Sequence, residues 1–342
     1  IPVGRDPDSM VYDEAGNRVF VGHRSIPLLT AIDPDTNTIV SQLWFEEAGG
    51  VSDLAVDPNM GFLLVAHDDI DQITVIKLSD LSIVGRLGEI SSLGRITYSS
   101  FLSNLLYIDP NGGTIISGGQ QLFIDGTTRG DTLAVDDRQG IAYLGGRKNG
   151  EEGVFSVSLT DGRTNFLPLG QQIRSLALHP VTGIVYAGLV TTADNPRTLV
   201  AINPTTGAIS ASSSLGNAFS TILIGSGPYT GRLLITESLR YQVHVVDSNT
   251  LKLKGLVVLG NSPQRVAVDH GNGRVYVTNR DTFMISALDS VSGRLLESFL
   301  AGSRPGGLAF DPTRQLVYAA LEGEDAVLEL SSAGVLRRLR AM

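Results

Sequence analysis

Short runs of alternating apolar and β-branched residues, four to seven long, fill this chain and are separated by Gly, Asn, Asp and Pro. Such runs predict β-strands joined by tight turns. The clearest group is Gly260–Asp269, Gly273–Asn279, Met284–Asp289 and Ser292–Phe299, which reads as four strands in succession. Its first strand recurs as Met10–Asp13, Leu54–Asp57, Ile96–Ser99, Leu133–Asp136, Leu176–His179, Ile222–Gly225, Val266–Asp269 and Leu308–Asp311. The end positions of these eight copies fall at intervals of 37 to 46 residues. Four strands per unit at a period of about 40–45 residues is the pattern of a β-propeller. No long helical period interrupts it, which argues against a parallel α/β sheet.

The expectation is therefore an all-β chain, a single β-propeller domain over residues 1–342, with eight four-stranded blades. The third copy is short and carries Gly112-Gly113 and Gly118-Gly119, so a ring of seven is the alternative. One twisted sheet cannot cover both of its apolar faces, and neighbouring copies must do so. Closure is open to either end. Ile1-Pro2-Val3 matches the end of an outer strand, while Val335–Arg340 reads as an outer strand of the last copy.

Tyr276-Val277-Thr278-Asn279 is a literal match to the signature of the YVTN β-propeller repeat proteins, and Val268-Asp269, Gly273-Arg274 and Leu288-Asp289 sit where that repeat expects them. Degenerate versions are Val19–His23, Leu63–His67, Ala142–Gly146, Val185–Leu189 and Val317–Leu321. Over nearly its whole length the chain resembles that family. The resemblance implies a propeller and an extracytoplasmic binding protein, periplasmic or secreted. More distantly related propellers include lactonases and lyases, but none of their site motifs is recognisable, so no catalytic residue carries over.

Composition narrows the chemistry. Lys and Arg number 26 and Asp and Glu 35 in 342 residues, a net charge of −9. No broad positive field is available for nucleic acid or an anionic membrane, and no run is long enough for membrane insertion. Cys is absent, which excludes disulfides, thiolate metal sites and Cys nucleophiles. No Gly-x-Ser-x-Gly, His-Glu-x-x-His or EF-hand loop occurs.

The repeat lines up two sets of candidate residues. The position that ends the second strand holds His23, His67, Asp109, Gly146, Leu189, Glu237, Asn279 and Leu321. His23, His67, Asp109 and Glu237 could hold a divalent metal, or His23 and His67 could act as catalytic acid–base groups near neutral pH. The alternative is that each His bonds its own blade, as Asn279 would. The position before the inner strand, with Arg304 just upstream, would bring Arg95, Arg174, Arg265 and Arg304 to one mouth of the channel, beside Asn279 and Arg280, as binding residues for a small anionic molecule. Arg–Asp pairs through Asp8, Asp53 and Asp131 are the competing structural explanation. His179, His244 and His270 read as structural, and Trp44-Phe45 as packing between blades.

Two functions follow: a binding propeller with its ligand at the channel mouth, or a lactonase-, lyase- or isomerase-like enzyme acting on a small anionic substrate. A protein partner is left open.

Overall fold

A computed structural model describes the chain apart from residues 47–48, 58–59, 68, 71, 88–95, 100, 103, 110–113, 118–119, 124–126, 180, 192–195, 197, 204–205, 216–220, 225–230, 238–241, 260–262, 270, 332–335 and 338–342. The described residues form eight four-stranded antiparallel sheets, each a meander in chain order. The first is β1 (Pro7–Asp13), β2 (Arg18–His23), β3 (Leu28–Asp33) and β4 (Thr38–Trp44); the second is β5 (Asp53–Asp57), β6 (Phe62–His67), β7 (Gln72–Lys77) and β8 (Ile83–Leu87). The third is β9 (Ile96–Ser99), β10 (Asn104–Asp109), β11 (Thr114–Ser117) and β12 (Gln120–Phe123); the fourth is β13 (Thr127–Asp136), β14 (Ile141–Lys148), β15 (Glu151–Ser158) and β16 (Thr164–Pro168). The fifth is β17 (Ile173–Leu178), β18 (Val185–Leu189), β19 (Leu199–Ile202) and β20 (Ile209–Ser213); the sixth is β21 (Thr221–Ile224), β22 (Arg232–Glu237), β23 (Gln242–Asp247) and β24 (Leu253–Val258). The seventh is β25 (Pro263–Asp269), β26 (Arg274–Asn279), β27 (Met284–Asp289) and β28 (Leu295–Leu300); the eighth is β29 (Pro305–Asp311), β30 (Leu316–Leu321), β31 (Ala326–Ser331) and β32 (Leu336–Arg337). The short third copy thus makes its own four-stranded sheet.

Packing divides the chain into two compact units. The first holds Ile1–Ile96, Gly260–Asp289 and Leu295–Met342; the second holds Thr97–Leu259 and Ser290–Arg294. In the first unit the inner strands β25, β29, β1 and β5 lie side by side in that order. Apolar layers fill the gaps between its sheets. Tyr276, Ile285, Val317 and Leu328 join the seventh and eighth sheets, Val19, Val21, Ile32 and Tyr318 the eighth and first, and Phe20, Leu29, Phe45, Leu54 and Leu63 the first and second. The second unit repeats the scheme with Leu106, Leu133, Leu144 and Phe155, then Tyr143, Ile173 and Val185, then Tyr186, Leu233, Ile235 and Leu251. Alternate positions of each middle strand face the two neighbouring layers, which is why those strands read as unbroken apolar runs.

Both ends of the chain complete the eighth sheet. Ile1 N donates to Val327 O and Val327 N to Ile1 O, each at 2.7 Å, and Val3 N donates to Asp325 O at 2.8 Å. Farther along β31, Glu329 and Leu330 pair with Arg337 and Leu336 of β32. The two termini therefore share the outer-strand place that the sequence offers to either.

The inner strands β1, β17, β25 and β29 open on a bulge. Asp8 is the extra residue between the pairs Pro7↔His23 and Ser9↔Gly22, and Arg174 is the extra residue between Ile173↔Leu189 and Ser175↔Gly188. Gln264-Arg265 and Gly306-Gly307 occupy the same place in β25 and β29. A bulge leaves its residue out of the ladder and re-aims the side chain. The position before the inner strand, singled out from the repeat, is this bulge.

Candidate functional site

His23 and His67 are fully buried and turned into their own sheets. His23 donates from Nδ1 to the Arg5 carbonyl at 3.0 Å and accepts at Nε2 from the Thr30 hydroxyl at 2.9 Å. His67 donates from Nδ1 to the Gly49 and Gly50 carbonyls, at 3.2 and 3.3 Å, and accepts at Nε2 from Thr74 at 3.1 Å. Phe45 of the neighbouring sheet stacks edge-on against His67, with ring centroids 4.9 Å apart. Burial pushes both imidazoles below their ordinary pKa, which carbonyl bonds only partly offset. Asn279 does the same work: its Nδ2 donates to Ser286 Oγ at 3.0 Å.

These contacts correct the chemical roles expected for the two histidines. With both nitrogens of each ring committed and neither ring open to solvent, His23 and His67 present no lone pair to a metal and no proton to a substrate. Among the described residues no group of three or more His, Asp or Glu side chains is placed to hold a metal ion. The side chains of Asp109 and Glu237 lie outside the described residues, and so does Arg95. Arg174 is exposed at its bulge in the second unit. Arg265 is exposed in the first, with its backbone N–H donating to Thr278 Oγ1 at 3.1 Å.

What the first unit does gather is a charged cluster at the edge where its inner strands begin. Asp8, on the β1 bulge, is 4% exposed, and its Oδ2 accepts from Arg24 at 3.2 Å. Glu322 follows β30, and its Oε2 accepts from Arg280, which follows β26, and from Arg304, which precedes β29, the latter at 3.3 Å. The Glu322 side chain is only 3% exposed, and its other oxygen, Oε1, has no hydrogen-bond partner. Burial raises the Glu322 pKa above the ordinary carboxylate value; Arg280 and Arg304 oppose this, while Asp8 and Asp6 add to it. Asp325 Oδ1 accepts from Asp6 N at 3.0 Å, and Glu324 Oε1 accepts from Ser303 N at 2.9 Å.

Gly306 and Gly307 make this arrangement fit. A side chain at Gly307 would overlap the Asp8 carbonyl, so two inner strands meet backbone to backbone there. A Cβ at Gly306 would stand 3.2 Å from Asp8 Oδ1 and 3.3 Å from Glu322 Oε1. Both distances are tighter than an ordinary Cβ contact, so the lack of a side chain at Gly306 is what lets the two carboxylates close on this position.

Of the residues expected from sequence, Arg280 and Arg304 belong to this cluster, as does Asp8, expected as an ion-pair partner, and Asn279 lies in the strand just before it. Arg24 and Glu322 went unrecognised there. A readable signal existed one residue past the strand-end position, which holds Arg24, Arg147, Arg280 and Glu322 in four of the copies.

No protein-family model matches the chain, and no curated protein matches it in sequence. Solved structures do. The computationally designed Ika8 protein superimposes with a TM-score of 0.75 at 14% identity, over 96% of this chain and 98% of that one. The β-propeller domain of Cps50 (Swd1) from Myceliophteria thermophila gives 0.59 at 12% identity, over 96% and 97%. Hydrazine synthase from Kuenenia stuttgartiensis gives 0.60 at 13% identity, over 97% of both chains. The chain has the β-propeller fold. At these identities the likeness carries the fold alone.

Proposed function

We propose that this chain is a binding propeller of the YVTN type whose small-molecule site is the charged edge of the first unit, formed by Asp8, Arg24, Arg280, Arg304 and Glu322. One observation carries the reading: a carboxylate oxygen, Glu322 Oε1, is buried without a donor close to a second buried carboxylate, that of Asp8. Buried polar atoms are nearly always paired, so a ligand that brings a donor to this oxygen gains a hydrogen bond the free protein does not make. The Tyr276–Asn279 run and its degenerate copies support the family and, through it, a periplasmic or secreted setting.

The binding reading is preferred to the enzyme because the residues offered for acid–base work, His23 and His67, are consumed in holding their sheets. A thermal-shift panel of small amines, polyols and carboxylates, run on the wild type and on Glu322→Gln, tests it. Stabilisation of the wild type that disappears in Glu322→Gln is the expected result. Identical shifts in both proteins for every compound would contradict it.

A further inference from the structure

We propose that a cavity between the first and second sheets binds an uncharged sugar, with the Asp33 carboxylate, the Arg18 guanidinium and the hydroxyls of Ser41 and Ser79 as its polar contacts. The cavity measures about 510 Å³, within the range of about 300–1,000 Å³ usual for small-molecule sites. It lies past the end of β1, whereas Asp8 lies at the start of that strand, so the inference goes beyond the ligand edge at Glu322 and does not depend on it.

The sixth sheet, which lacks this space, shows what opens it. There the turn Ser290–Arg294 closes on β24, and a Cβ at Gly255 would stand 2.9 Å from the Ser292 carbonyl oxygen, closer than real Cβ atoms come. Ser41 holds the Gly255 position in the first sheet, pairing with Ala31 as Gly255 pairs with Val245. Its side chain holds off the turn of the next sheet, Ser79–Leu81, and the cavity opens between them. Arg18 and Arg232 keep the same link to the adjoining turn, donating to Leu78 O at 2.9 Å and to Val291 O at 3.2 Å. Charge differs at the two places. Asp247 Oδ2 lies 3.3 Å from Arg232 and 3.8 Å from Lys254. Asp33 is its equivalent and forms no ion pair among the described residues; its Oδ1 accepts from Asp35 N at 2.7 Å. Val40, the extra residue of the β4 bulge, stands where β24 has Lys254.

The lining therefore offers Asp33 Oδ2, which only accepts, the remaining N–H groups of Arg18, which only donate, and two hydroxyls that do either. Sugar hydroxyls both donate and accept, so one ligand answers all four groups. Val40 and Leu81 give the cavity apolar wall for the C–H surface of the ring. An anion would meet Asp33 together with Asp80, whose Oδ1 is already bonded to Ser82. An ammonium would pair with Asp33 but leave the Arg18 donors unserved. A hard divalent cation would find too few ligands, since Ca²⁺ takes six to eight oxygens, and no set of three metal-binding side chains forms among the described residues.

Amide ¹H–¹⁵N NMR titration of the full chain with D-glucose, D-galactose and D-mannose tests this, with sodium acetate and methylammonium chloride as charged probes. At least one sugar should shift the amide signals of Arg18, Ser41 and Ser79, and the two charged probes should not. Its affinity should fall at least about tenfold in Asp33→Asn, the loss of a charge-assisted bond, and likewise in Ser41→Leu, which narrows the cavity and keeps every charge. Arg174→Ala, in the second unit, should leave it unchanged. Melting curves show which variants are folded, and either of the two carries the test if the other is not. The methyl α-glycoside of the binding sugar separates two sources: retained binding marks the end of a sugar chain, lost binding a free sugar, and both keep the inference. No sugar shifting these signals, or equal affinity in a folded Asp33→Asn and Ser41→Leu, overturns it. Acetate or methylammonium binding that depends on Asp33 would keep the cavity as a site and overturn the sugar. Sugar shifts confined to Arg304 and Gly323 would favour the Glu322 edge and overturn this cavity.

Discussion

The Nε2 of His23 accepts a 2.9 Å hydrogen bond from the hydroxyl of Thr30, seven residues on, and neither residue is exposed. His67 and Thr74 repeat the bond in the second sheet, and in the seventh Asn279 Nδ2 makes the equivalent link in the opposite sense, donating to Ser286 Oγ. It ties the end of each second strand to the third. The relay reaches the fourth strand as well, since Ser286 bonds Ser298 at 2.9 Å. His23→Ala should therefore cost about 2–4 kcal/mol, through an orphaned buried hydroxyl and a cavity. His23→Asn, which copies the seventh sheet, should cost less than the Ala variant. Urea unfolding of the two variants measures the difference.

The same histidines make stability depend on pH. Their folded pKa lies below the unfolded value of 6.5 because burial disfavours the charged ring. Each thus stabilises the fold fully above that value, and the contribution is lost as pH falls below it, where the unfolded chain binds more protons. Urea midpoints should drop between about pH 7 and about pH 5, and the slope should be shallower in the His23→Asn/His67→Asn double variant.

Two buried tyrosines at equivalent repeat positions should respond in opposite ways. Tyr186 donates its hydroxyl to Ser248 O at 3.0 Å, whereas the Tyr143 hydroxyl has no partner. Burial pushes both hydroxyls up to about 12. Tyr186→Phe should cost about 1 kcal/mol, and Tyr143→Phe should be neutral or stabilising. Paired melts decide.

Leu251 sits in a left-handed turn, φ 53°, yet is 1% exposed and packs with Tyr186, Leu233 and Val246. Glycine would relieve about 1–2 kcal/mol of backbone strain, but removing a buried Leu costs about 2–5 kcal/mol. Packing wins: Leu251→Gly should lower the unfolding free energy by about 1–3 kcal/mol, read from urea curves.

The sheets were legible because apolar runs and Gly, Asn and Asp turns recur at a nearly constant spacing, and even the irregular Ile96–Phe123 segment keeps four strands. The histidines were legible as equivalent positions but not in their role. The signal that separates the two is the hydroxyl seven residues on, at Thr30, Thr74 and Ser286. The Asp8–Glu322 relationship was not legible. It joins residues 314 positions apart in sequence and depends on a bulge at Asp8 and on left-handed turns at Asp6, Arg304 and Asp325, none of which follows from residue type. Arg265 illustrates the converse: its place before the inner strand was readable, whereas the bulge there and the exposure of its side chain were not.

Carboxyl ¹³C NMR of Glu322 tests the central claim most directly. In the free protein its carboxyl should titrate above the ordinary value of 4.5, because burial outweighs Arg280 and Arg304. At saturation, any compound that stabilises the wild type in the thermal-shift panel should lower that pKa, since a donor against Oε1 favours the ionised form. A Glu322 titration curve that every such compound leaves unchanged would contradict a ligand at Oε1.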